Sequence, residues 1–230
     1  MSRVFVVASL LTAFTSFASA DRVAPSARFA QPPPAAGAPR NVQSDMPEYP
    51  AMLDRAQVRA KLAQVRTDNL ARFRAYQQKG VFPSNTYDTR KLNVWRDKDG
   101  HLCAAATIIN ASGQSALVQK VAEQNNFIRL ADVKQGPLMD WILTSGLTQD
   151  EIAAIQEPFM PVADEPSQVE PRIVNNKMRR TEDARLLARY KQVDAMIVKN
   201  QKASLDAATD RLMKNPALVA RFMDAWATEG

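Results

Sequence analysis

Sulfur and imidazole are almost missing from this chain: its 230 residues hold one cysteine, Cys103, and one histidine, His101. A lone thiol cannot close an intramolecular disulfide, so burial alone must hold the fold, which takes a domain of roughly a hundred residues or more. Any imidazole base would have to be His101. Glycine is scarce too, at seven residues, and no glycine-rich phosphate cradle is present. There is no G-x-S-x-G elbow for a serine nucleophile and no C-x-x-C-H pattern for haem attachment. Beyond residue 20, no segment approaches the ~20 apolar residues of a membrane span.

What the chain does have begins at its first residues. Arg3 precedes an almost unbroken apolar run, Val4 to Phe17, and Ala18-Ser19-Ala20 supplies the small-x-small pattern of signal-peptidase cleavage before Asp21. Residues 1–20 therefore read as a secretory signal peptide, which implies an exported protein, periplasmic or secreted. Asp21 rather than cysteine follows the cleavage position, against lipoprotein anchoring. Removing the signal takes away one base and no acid, so the formal charge falls from +6 to +5. Both signs are spread along the chain, without the cationic block and interleaved aromatics of a nucleic-acid binder.

Proline divides the remainder. Residues 21–50 carry Pro25, Pro32, Pro33, Pro34, Pro39, Pro47 and Pro50 among small residues, the composition of an extended tether. A second break, 158–176, is Pro-rich and acidic. Between them lies a core at 51–157, and after them a C-terminal piece at 177–230. Asp54 and Gln57 open a helix that Gly80 closes, with Val58, Leu62, Val65, Phe73 and Tyr76 at helical spacing. Arg55, Arg59 and Arg66 fall on one border of that stripe, and Lys61, Arg72 and Lys79 on the other.

Residues 92–96 and 102–109 flank Asp97-Lys98-Asp99-Gly100, which predicts a β-hairpin. A helix is expected over 114–124, a short strand over 127–130, and helices over 137–145 and 148–157, the last with Thr148 and Glu151 at capping-box spacing. From Thr181 a long amphipathic run and a second helix after Asn215-Pro216 predict a helical hairpin. The expected fold class is mainly α with a small β-hairpin (α+β): a compact helical core plus a C-terminal helical hairpin.

Candidate chemistry is thin. Two residues apart on a strand, His101 and Cys103 would share a face, and an imidazole beside a thiol can favour the nucleophilic thiolate. Against this, cysteine is among the most buried residue types. Asp97, Asp99 and Gly100 resemble a fragment of a calcium loop without its third acid and closing glutamate, so a turn explains them and no metal is expected. Asn110-Ala111-Ser112 is a glycosylation sequon, a pattern common by chance. Asn125, Asn126 and Trp141 mix amides with an aromatic, as a peptide or saccharide groove does, although Trp141 also suits a core.

The expectation is an exported, non-catalytic binding or assembly protein of a bacterial-type envelope or the extracellular space. It would act through its amphipathic C-terminal helices, on a protein partner or a second copy, without a cofactor or nucleic acid. One alternative is a thiol enzyme using Cys103 with His101. The other places anionic lipid or cell-wall polymer on helix 54–79, through Arg59, Arg66 and Arg72.

Overall fold

A computed structural model describes residues 54–166 and 173–227, with only the backbone of residues 226 and 227. The expected signal and tether lie outside the described residues. Asp54 accepts from Ala56 N at 2.8 Å and starts α1 (Arg55–Lys79), which Gly80 ends in the left-handed conformation at φ 62°. α1 is the axis of the fold: it packs against α2 (Ala104–Ala111), α6 (Asn176–Lys199) and α7 (Gln201–Met213). The remaining helices are α3 (Ser115–Gln124), α4 (Pro137–Thr144), α5 (Gln149–Ile155) and α8 (Pro216–Ala227), with a single 3-10 turn at Leu130–Asp132.

The described residues are thus mostly helical, and no strand occurs among them. The turn expected at 97–100 does form: Asp97 N donates to His101 O at 3.0 Å, and Gly100 sits at φ 84°. Pairing stops after one antiparallel bridge, Arg96 to Leu102. Residues 104–109, expected as the second arm of a hairpin, instead open α2. Alanine is the strongest helix former, and Ala104, Ala105 and Ala106 are fully buried, so the polar face of α2 shrinks to Thr107 and Asn110 near its end.

The strand expected at 127–130 is absent for a different reason. Side-chain amides satisfy that backbone: Gln156 Nε2 donates to Ile128 O and Gln149 Nε2 to Leu130 O, both at 2.8 Å.

Two apolar clusters share α1. Leu70, Phe73 and Tyr76 belong to the larger, with Trp95, Ile108, Ile109, Leu186 and Tyr190. Val58 and Leu62 belong to the smaller, with Leu205, Leu212, Leu218 and Val219. The C-terminal piece is three helices rather than a hairpin, because the run breaks at Asn200, and α6 begins at Asn176, capped by Asn175. Part of the acidic break is packed as well: Phe159 is buried and exchanges both backbone hydrogen bonds with Leu92, at 2.9 and 3.0 Å.

Between the two clusters, α1 carries a buried ion pair. Arg66, 1% exposed, meets Glu151 with two bonds of 2.7 and 2.8 Å and also donates to Gly146 O and Ile197 O. Glu151 at the same time completes the capping box of α5. The expectation that Arg66, on the border of the stripe, is free to bind an anionic surface is therefore corrected: its guanidinium ties α1 to α5 and to the end of α6.

Candidate functional site

The turn at residues 97–101 is organised by one carboxylate. Asp97 Oδ1 accepts from Asp99 N at 3.0 Å and His101 N at 2.8 Å, and Oδ2 accepts from Ser84 N at 3.0 Å. His101 Nδ1 lies 3.1 Å from the same Oδ2, which fixes the ring hydrogen on Nδ1 and leaves Nε2 as the nitrogen able to bond something else. Asp99 joins Asp97 and His101 in a cluster whose candidate ligand atoms lie within 4.8 Å of one another. Both oxygens of Asp97 are already satisfied, so the cluster is accounted for as a turn, and Asp99 pairs with Lys98 at 2.9 Å.

Cys103 does not share a strand face with His101. It is the N-cap of α2, fully buried, and its Sγ accepts from Ala106 N at 3.4 Å. Burial pushes its thiol up to about 12, far from the thiolate range of reactive cysteines. Two buried tyrosines, Tyr76 and Tyr190, are raised in the same way, first by burial and then by neighbouring groups that include Cys103.

The other named residues are dispersed. Asn126 pairs with the backbone of Arg96 through both atoms of its amide, at 2.9 and 3.0 Å. Asn125 ends α3, and its Oδ1 accepts from Phe127 N. Trp141 is buried and donates to Ser112 Oγ at 2.9 Å. These three side chains hold backbone and core together. Arg59, half-buried, pairs with Asp206 of α7 at 2.6 Å, and its neighbour Arg55 pairs with Asp210 at 2.6 Å.

Arg72 and His101 do come together. They line one cleft of about 380 Å3 between the last turns of α1 and the second half of α2, with Lys79 as a third basic side chain and Tyr76, Val81 and Leu102 as apolar wall. Arg72 donates to Asn69 Oδ1 at 2.8 Å and Lys79 is exposed; neither has a carboxylate partner among the described residues. A second cleft of about 440 Å3 adjoins it, sharing Gly100, Leu102 and Asn110 and adding Arg96. No acidic side chain lines either. By contrast, three further clefts each hold an acid: Asp150 in one, Glu157 in another, and Asp164 with Glu182 in the third.

Lys79 and Tyr76 were not named as site residues from sequence. Their signal was present: Arg72, Ala75, Tyr76 and Lys79 stand at i, i+3, i+4 and i+7, one face of a helix. The opposing wall, contributed by Gly100 to Leu102, is a long-range contact without a local signature. Comparison with known protein families, with curated proteins and with solved structures gives no match.

Proposed function

We propose that this is an exported, non-catalytic binding protein of a bacterial-type envelope or its surroundings, whose binding surface is the cleft between α1 and the Asp97 turn. One observation carries the reading: that cleft and its neighbour are basic and free of acids, in a chain with 24 Asp and Glu. Further support comes from the two residues most suited to chemistry. The thiol is an enclosed helix cap and the imidazole is bound to Asp97, so both act as scaffold.

Assembly through the C-terminal helices has less behind it. Leu186, Tyr190, Val193, Ile197, Leu205 and Leu212 are buried within the chain's own core, and an apolar face already covered offers no partner a surface. Anionic-surface binding along the whole of α1 is narrowed likewise, since Arg59 and Arg66 are engaged internally and Arg72 remains.

The test is native mass spectrometry of the protein recovered from its exporting host, beside an Ala75→Trp variant that fills the cleft at an exposed position. A small molecule that accompanies the wild type and is lost from the variant is the expected result. A bound species retained equally by both, or turnover that depends on Cys103, would overturn the reading.

A further inference from the structure

We infer that the ligand of this cleft is an amphiphilic monoanion: a compact head such as a carboxylate, held by Arg72 and Lys79, carrying a hydrocarbon or aromatic body against Tyr76, Val81 and Leu102. The inference rests on the binding reading above and adds the chemical class. Arg72 and Lys79 are seven residues apart on α1, or about 10 Å along the axis at ~1.5 Å per residue. Two long cationic side chains can converge across that gap, because the exposed residue between them on the same face is Ala75, whose methyl leaves the space open.

Charge complementarity sets the sign of the head. Neither Arg72 nor Lys79 is neutralised by a carboxylate among the described residues, and the nearest acids of the facing turn are occupied, Asp97 by its four donors and Asp99 by Lys98. A cationic ligand would meet like charge on entry. His101 Nε2, an acceptor while Nδ1–H is held by Asp97, takes no part in holding an anionic head. The walls set the body: Leu102 and Val81 are half-buried, so a ligand covering them removes apolar surface from water, while Tyr76, 4% exposed, backs the wall and adds little area. A volume of about 380 Å3 falls within the ~300–1,000 Å3 of small-molecule sites.

Such a head could arrive on a free amphiphile or at the surface of an anionic bilayer, and calorimetric titration separates the two. The probes are decanoate and decyltrimethylammonium, both below their micelle concentrations, and acetate, together with phosphatidylglycerol–phosphatidylcholine vesicles. Expected is saturable one-site binding of decanoate, at least tenfold tighter than decyltrimethylammonium and with acetate undetectable. Arg72→Ala and Lys79→Ala should each weaken decanoate about tenfold, the order of one charge-assisted contact, and Ala75→Trp should abolish it. All three sites are exposed or half-exposed, so circular dichroism should report unchanged folding.

Equal affinity for the two decyl probes, or decanoate binding indifferent to all three variants, would overturn the inference. So would binding to vesicles alone, which assigns a membrane surface, or acetate binding as tightly as decanoate. Should decanoate fail while a copurifying molecule still depends on Ala75, the ligand class falls and the binding reading stands. Should both fail, both fall.

Discussion

Two residues with chemical potential, Cys103 and Arg66, act as structure. The Cys103 thiol caps α2 from a fully buried position, so the native protein should not react with a thiol reagent such as dithionitrobenzoate at neutral pH and should react fully after denaturation. Rapid labelling of the folded protein would contradict the scaffold assignment. Losing the cap in Cys103→Ala should cost about 1 kcal/mol of stability in urea unfolding. Arg66 matters more. Arg66→Met leaves Glu151 buried without its partner and should cost about 3–5 kcal/mol, much of it regained in Arg66→Met/Glu151→Leu. By spacing, Arg66 stands four residues after Leu62 and seven before Phe73, at the edge of the apolar stripe, so its border position was readable and its burial was not. What could not be read is Glu151, 85 residues away. A buried cation on a stripe announces that a carboxylate exists without saying which.

Among elements, those with local chemistry at their ends were legible and those defined by surroundings were not. Asp54 and Gly80 bound α1, Thr148 with Glu151 opens α5, and Asn215 accepts from Leu218 N ahead of Pro216 in α8, all as the capping residues imply. α2 was misread because its opening Ala-Ala-Ala-Thr-Ile-Ile exposes only Thr107 in part, and a wet face of Thr107, Asn110 and Ala111 spans too few turns to display a 3.6-residue period. The connection between α4 and α5 shows the opposite dependence, on distant backbone. Gly146 has φ 72°, and a Cβ there would lie 2.2 Å from Leu62 O and 2.8 Å from Arg66 Cβ. Gly146→Ala must both strain its own backbone and push α1 away from the loop that holds Arg66. Its unfolding midpoint in urea should fall by the equivalent of at least ~2 kcal/mol. An unchanged midpoint would mean that the close approach is unimportant to the fold.

At the scale of the whole molecule, most of the described apolar residues of α6–α8 join the core, and the buried groups enclosed there set the pH range of stability. The Cys103 thiol is moved from an ordinary 9.0 to about 12, and Tyr76 and Tyr190 are raised as well. Each holds its proton more tightly folded than unfolded. Their contribution is therefore complete below about pH 9 and declines as pH rises toward about 12. Burial acts to raise Glu151, but its bonds to Arg66 and its place in the capping box outweigh burial and leave it lowered. Its contribution is present above the usual glutamate range and is lost as pH falls through it. The thermal midpoint should thus form a plateau that falls at both ends, with the alkaline fall beginning later in Cys103→Ala; a flat profile to pH 12 would show that the thiol is not enclosed. The cleft is a product of this same scale, since the helix face bearing Arg72 and Lys79 was readable and the turn that closes over it was not. The most direct test is the amide spectrum of the isotopically labelled protein during decanoate titration. Shifts should concentrate at residues 72–81, 100–102 and 107–111; shifts centred on α6–α8, or none at saturating decanoate, would contradict the assignment of the cleft as the binding site.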